Sequence, residues 1–147
     1  MPSQFTQIHA VKKYRLGTTK SDPAGNEYIY LKGVASLVAN DAVTYDELGN
    51  TTLLAANAKG PVAFAQAAVN SATNYGWFCI AGTCSANLVA NSADNSTIGR
   101  ETTDGKVGDG RVAGDQIGNC FARTATTTAA TGSVLIRYPF ADDFMGA

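Results

Sequence analysis

Tyr75-Gly76-Trp77-Phe78-Cys79-Ile80-Ala81 is the stretch of sequence that decides the fold. Apolar side chains follow one another at successive positions, so both faces of a strand formed here would be buried. Aromatic and β-branched residues also favour the extended conformation. We therefore predict a central strand, with Trp77, Phe78 and Ile80 in the core.

Strand signals recur on both sides of this stretch. Residues 27–32 read Glu-Tyr-Ile-Tyr-Leu-Lys after a Gly-Asn turn pair, and residues 133–138 read Ser-Val-Leu-Ile-Arg-Tyr before Pro139. Turn residues separate such segments at short intervals, as in β-sandwiches and small barrels. Tyr28 and Tyr30 are predicted to be core residues of the first of these strands.

The Ala-rich run over residues 62–69 is ambiguous. Alanine has the highest intrinsic helix propensity, whereas alternation would place Val62, Phe64 and Gln66 together on one face of a strand. The neighbouring segments are strands and the run is short, so we favour a strand, with Phe64 in the core.

Two further stretches set the domain organisation. Residues 1–25 hold few apolar residues for their length, which is typical of an extended arm. Residues 102–119 carry several Asp-Gly and Gly-Asp turn signals, which predict a long loop. We expect an all-β chain, with a small β-barrel or β-sandwich as a single domain over residues 26–147 and an extended N-terminal arm before it.

Composition excludes several classes of protein. The chain has 147 residues, of which 16% are charged, and its formal net charge is -1. A nucleic-acid-binding protein would need clustered Lys and Arg, and a transmembrane helix would need roughly 18 consecutive apolar residues. Neither pattern is present, so we expect neither nucleic acid nor a membrane as a partner. No secretory signal pattern opens the sequence, which predicts synthesis in a reducing cytoplasm.

The cysteines and the histidine offer no catalytic arrangement. Cys79, Cys84 and Cys120 are an odd number, which favours free thiols over a disulfide framework. Their spacing is not that of a structural zinc site. His9 is the one histidine in the sequence and lies in the predicted arm, far from any cysteine or acid pair. We therefore expect no enzyme activity, no cofactor, and no catalytic or metal-binding residues.

The turn-rich loop contains acidic residues that could bind calcium. Asp104, Asp109 and Asp115 could offer oxygen ligands. Their spacing matches neither an EF-hand nor a nine-residue calcium repeat. Asp-Gly pairs also favour tight turns, so turn formation is the preferred interpretation.

A longer pattern links these segments to a known family. A Tyr-rich strand is followed by residues 31–37, by residues 41–45, by the Ala-rich run and then by residues 74–82, which contain a Tyr-Gly-Trp-aromatic motif followed by glycine. Over residues 27–90 this order resembles small structural proteins of tailed bacteriophages, particularly head-decoration (capsid cement) proteins. The three cysteines and the 102–119 loop are not part of that pattern.

The resemblance implies a function by assembly. It implies a virion protein on the outer capsid surface, often a homotrimer, that bridges neighbouring major-capsid subunits and stabilises the capsid. The partners would be the major capsid protein and other copies of this chain. An extended arm could add a strand to a neighbour's exposed sheet edge.

Apolar residues towards the two ends of the sequence are the predicted protein-interface residues. In the arm they recur at every third position, although the arm could instead fold back onto its own domain. Those near the C-terminal end suggest a second contact region, with packing against the chain's own core as the alternative. The predicted interface residues are Phe5, Ile8, Val11, Tyr14, Tyr138, Phe140 and Phe144.

A second hypothesis is a receptor- or carbohydrate-binding module of a phage fibre or tail. Exposed tyrosines and the loop around residues 104–115 would suit sugars, because aromatic faces and polar side chains recognise them. Loss of glycan binding on mutation of that loop would favour this hypothesis.

Overall fold

The computed structural model describes residues 4–101, 103–109 and 116–142. A 3₁₀ helix spans Gln4–Thr6. The strands are β1 (Ile8–His9), β2 (Thr19–Ser21), β3 (Glu27–Lys32), β4 (Ala42–Tyr45), β5 (Thr51–Leu53), β6 (Gly60–Ala65), β7 (Tyr75–Leu88), β8 (Thr97–Arg100), β9 (Val107–Gly108), β10 (Gln116–Ala122) and β11 (Ala130–Asp142). Within these ranges no helix is long and apolar enough to span a membrane. The prediction of an all-β fold is confirmed.

The strand β7 is the hub of the sheet. One of its edges pairs with β3. The other edge pairs with β6 at Phe78 and Cys79 and then with β11 from Ala81 to Leu88. Because β6 also pairs with the end of β11, it fills the fork where β7 and β11 diverge.

A ring of strands encloses the larger core. It runs from β7 through β11, β10, β8 and β9 and returns to β7, where Leu88 pairs with Val107 in parallel orientation. From the ring, β3 and β2 extend the sheet in one direction, and β4 and β5 extend it from β6. The fold therefore has a barrel-like centre with strands added at its sides.

The burial pattern of β7 shows how one strand serves two cores. In its first half Trp77 faces the ring core, whereas Phe78 and Ile80 belong to a second core on the opposite side of the sheet. The register with β3 shifts beside Ile80 and Gly82 takes a φ of +104°, so the strand changes phase at a β-bulge. After the bulge, the residues that face the ring core are Cys84, Ala86 and Leu88.

The Ala-rich run and the stretch that ends before Pro139 were both predicted to form strands. The run forms β6 as far as Ala65, so the prediction of a strand there is confirmed. The strand predicted to close at Pro139 instead continues to Asp142. A register shift between Gly118 and Cys120 of β10 lies opposite this part of β11. Proline is tolerated at such irregularities because a ladder hydrogen bond is already missing.

The stretch predicted as a long loop contains strand residues. Val107–Gly108 is β9, and residues 116–119 are the first half of β10. Residues 102 and 110–115 lie outside the described ranges. The glycine and aspartate residues therefore predicted turns where the short strand β9 pairs with β7 and β8 and closes the ring.

The cysteines differ from the sequence-based expectation. Cys79 and Cys84 form a disulfide across the bulge of β7, with Cα atoms 6.5 Å apart. Three free thiols were expected, and that expectation was wrong because the change of phase at Gly82 turns both side chains into the same core. Cys120 is free and buried, and burial raises the pKa of its thiol far above the usual range. That thiol therefore stays protonated and unreactive.

A buried carboxylate ties three segments together near the end of β7. Asp41 is 1% exposed, and its Oδ1 accepts hydrogen bonds from Nζ of Lys106 at 2.5 Å and from Nδ2 of Asn87 at 2.7 Å. Its other oxygen accepts from the backbone N–H of Val38 at 3.3 Å. A buried charge needs such partners, so this network fixes the segment around Lys106 against the rest of the fold.

Candidate protein-docking surfaces

The N-terminal segment lies along its own domain. The ring of Phe5 stacks on Tyr28 with centroids 4.0 Å apart and meets Trp77 edge-on at 5.4 Å. The strand β1 then pairs with the first two residues of β7. Phe5 is therefore a buried anchor of the arm in this chain, and a partner could reach it only if the segment detached.

A second aromatic anchor of the arm is Tyr14. Its ring contacts those of Tyr30 and Trp77 at centroid distances of 5.2 and 5.3 Å. The ammonium group of Lys20 lies 4.3 Å from the Tyr14 centroid, a cation–π contact worth about 0.5–1 kcal/mol at an exposed site. The two anchors hold the surface stretch between them, residues 6–13, against the sheet.

Ile8 and Val11 are the large apolar side chains that this stretch exposes. Their exposed fractions are 44% and 71%. Alternation in β1 explains why Ile8 turns outward while the next residue, His9, turns towards Tyr30. We call Ile8 and Val11 the arm patch. Of the four interface residues predicted in the arm, these two lie on the surface and the two aromatic ones are used as anchors.

The hydroxyl group of Tyr30 links the arm to the sheet. It accepts a hydrogen bond from the backbone N–H of Lys13 at 3.2 Å and lies 2.8 Å from Nδ1 of His9. Its own proton is then free to be donated to a neutral imidazole. Burial and the positive charge of Lys13 lower the pKa of His9 below its ordinary value of 6.5. The docked arm therefore favours the neutral form of His9.

The outer side of β10 and β11 carries a second set of exposed apolar side chains. Phe121 and Leu135 are direct cross-strand neighbours, and Tyr138 and Phe140 follow along β11. All four are exposed, Tyr138 the most, at 56%. Gly118 pairs with Phe140 and has no side chain at the place where the phenyl ring lies. We call these four residues the β10–β11 face.

A groove of about 560 Å³ lies beside the β10–β11 face. Phe121, Leu135 and Tyr138 contribute to its lining, and so does Glu27 of β3. The Tyr138 hydroxyl donates a hydrogen bond to the Glu27 carboxylate. This bond, with some desolvation and the negative charge of Glu27, raises the pKa of Tyr138. The phenol therefore remains a protonated donor at neutral pH.

The structure shows the position of most of the residues that were predicted from the sequence to lie in the core or at an interface. The six side chains predicted for the core, all buried, are Tyr28, Tyr30, Phe64, Trp77, Phe78 and Ile80. Tyr138 and Phe140 lie on the β10–β11 face, and Phe144 lies outside the described residues.

Sequence reasoning missed Phe121 and Leu135. Each stands between two apolar residues, in Cys-Phe-Ala and Val-Leu-Ile respectively. No apolar–polar alternation therefore marks which side of the strand is outward.

The acidic residues considered as calcium ligands have other partners. Asp104 forms an ion pair with Arg100 at 2.8 Å, and Asp109 accepts a hydrogen bond from the backbone N–H of Ala93 at 2.9 Å. Asp115 lies outside the described residues. In the described part of the chain, no group of three or more His, Cys, Asp or Glu side chains could hold a metal ion.

Comparison with known proteins finds no relative of this chain. No family model matches the chain, and no curated protein or solved structure matches it. Its function is therefore inferred from the two exposed apolar surfaces.

Proposed function

We propose that this chain is a bacteriophage structural protein that decorates the capsid and stabilises it by binding major-capsid subunits. The observation that carries the proposal is the arm patch. Two branched apolar side chains, Ile8 and Val11, are held on the surface between the buried ring of Phe5 and the partly buried ring of Tyr14. A partner that covers Ile8 and Val11 would meet a segment that is already ordered, which lowers the entropic cost of binding.

Two properties of the whole chain support an assembly role. With 16% charged residues the surface has little electrostatic repulsion to keep neighbours apart. The Cys79–Cys84 disulfide suits a protein that is made in the host cytoplasm and then stays on the outside of a released virion, because disulfides persist in oxidising surroundings. The capsid surface is therefore the proposed location, and no enzyme activity is part of the proposal.

The arm patch is tested by replacing its two side chains in the intact protein. Deletion of residues 1–15 is a poor test, because it also removes the buried ring of Phe5. We expect the double variant Ile8→Ser/Val11→Ser to stay folded and to bind heads lacking the protein at least roughly tenfold more weakly, since two apolar contacts are lost. Binding is measured by co-sedimentation over a range of protein concentrations.

A matched control uses two exposed apolar residues elsewhere on the surface, Val38 and Leu48. The variant Val38→Ser/Leu48→Ser removes similar side chains and should bind heads like the wild type. Equal binding by the arm-patch variant and the wild type would exclude Ile8 and Val11 from the capsid contact.

The carbohydrate-binding alternative depends on the loop around residues 104–115. The carboxylates of Asp104 and Asp109 are hydrogen-bonded within the chain, and residues 110–115 lie outside the described ranges. If heads bind no protein, a glycan array with wild type and loop variants becomes the next measurement.

A further inference from the structure

We propose that a second copy of this chain docks at the groove beside the β10–β11 face, about a two-fold axis. The inference rests on the proposed function and deepens it, because it names the partner of this surface and leaves the arm patch to the capsid. It is based on an acidic and a basic side chain that flank a floor of small residues, next to the exposed apolar side chains.

Glu27 and Arg137 lie in one cross-strand row. Glu27 of β3 pairs with Ala81 of β7, and Ala81 pairs in turn with Arg137 of β11. Directly paired residues project to the same side of a sheet, and adjacent strands are about 4.8 Å apart. The two charged residues therefore stand two strand spacings apart on one side, and Ala81 and Gly82 line the groove between them.

Neither charge is neutralised within the described part of the chain. The Glu27 carboxylate accepts a hydrogen bond from the Tyr138 hydroxyl, which is uncharged. Arg137 has no hydrogen bond or ion pair with any residue that the structure describes; the ion pairs found there join Arg100 to Asp104 and Lys106 to Asp41. Each copy thus presents one carboxylate and one guanidinium group at the groove, both available to an ionic partner.

Such a surface is complementary to itself. A two-fold axis that runs along β7 at Ala81 would place Arg137 of each copy opposite Glu27 of the other, so two equivalent ion pairs form. A guanidinium group can bind a carboxylate through two parallel hydrogen bonds, which would fix the orientation of the copies. The neighbouring side chains of Phe121 and Leu135 would supply the apolar contact area.

The two-fold arrangement differs from the trimer that the phage resemblance favours. A closed trimer joins two different patches on each subunit, whereas a two-fold dimer uses the same patch twice. One small surface that carries both charges meets the two-fold requirement. The molar mass of the assembly in solution distinguishes the two.

Charge reversal followed by mixing tests the proposal. Arg137→Glu alone would face Glu27 of the other copy, and Glu27→Arg alone would face Arg137, so both contacts become repulsive in each variant. We expect each variant to be monomeric by sedimentation equilibrium at concentrations where the wild type is a dimer. An equimolar mixture of the two variants should form dimers again, since both contacts then join opposite charges. An effect within one chain could not be restored by mixing.

The controls separate association from folding. Lys59→Glu reverses an exposed charge away from the groove and should remain dimeric, and thermal unfolding checks that every variant is folded. If Glu27→Arg does not fold, Phe121→Ser and Arg137→Glu carry the test, and each should weaken the dimer at least tenfold.

Any one of the following results would overturn the inference: a monomeric wild type, a trimeric wild type, or a mixture of folded variants that stays monomeric. The same holds if Phe121→Ser and Arg137→Glu both dimerise like the wild type. A dimer that does not bind heads would overturn the proposed function alone. A monomer that saturates heads would overturn this inference alone.

Discussion

At the scale of single residues, one cluster of aromatic side chains holds the N-terminal arm against the sheet. Trp77 contacts Phe5, Tyr14 and Tyr30 with centroid distances between 5.1 and 5.4 Å. Truncation of a large aromatic side chain in such a cluster costs about 3–5 kcal/mol. The arm is therefore packed against the folded core at its two aromatic anchors, and Ile8 and Val11 are the large apolar side chains that it exposes.

His9 should make the stability of the fold depend on pH. Its pKa is lowered in the folded state, so the unfolded chain binds the proton more readily. The stabilisation is complete above the ordinary histidine value of 6.5 and is lost as the pH falls towards the lowered value in the folded state. We expect the unfolding temperature to fall less in His9→Gln than in the wild type between about pH 7.5 and about pH 5. Thermal unfolding at the two pH values measures this difference.

The comparison of His9→Gln with the wild type removes the contribution of other titratable groups to the pH dependence of stability. Asp22 and Asp46 also have lowered pKa values, but both start from 3.8 and titrate in more acidic solution. If the wild type and His9→Gln lost the same stability over this range, His9 would not be the group responsible.

At the level of elements, the bulge of β7 is closed by the Cys79–Cys84 disulfide. Closing a loop this short removes entropy from the unfolded chain worth roughly 2 kcal/mol. We expect the free energy of unfolding in urea to be lower by about that amount when the protein is unfolded and refolded with a reductant. The Cys79→Ala/Cys84→Ala variant should not respond to the reductant. Equal stability of the wild type with and without reductant would contradict a stabilising disulfide.

The strands that the sequence predicted best are those with a continuous apolar pattern. Residues 75–81 read as a strand buried on both sides, and β7 begins there and continues to Leu88. The bulge at Gly82 could not be foreseen, because it depends on a contact between distant parts of the sequence. The side chain of Asn26, which precedes β3, occupies the place where a Cβ atom on residue 82 would lie. The disulfide depends on that bulge and was missed for the same reason.

For the whole molecule, the sequence could suggest that apolar residues towards both ends form contact regions. It could not show which of those residues are buried in the fold and which are exposed to a partner. Phe5 and Ile8 look equally apolar in the sequence, and the position of Trp77 in the fold decides which of them is buried. The groove between Glu27 and Arg137 joins residues 110 positions apart. Only the pairing of β3 and β11 with the same residue of β7 brings them together.

The number of copies bound per head, measured against the concentration of added wild-type protein, tests the central claim most directly. Purified protein is mixed with heads that lack it, the heads are sedimented, and the bound copies are counted. We predict saturation at a fixed copy number that matches the symmetry of the capsid lattice. Heads that bind no protein, or binding that rises without a plateau, would contradict a decoration role.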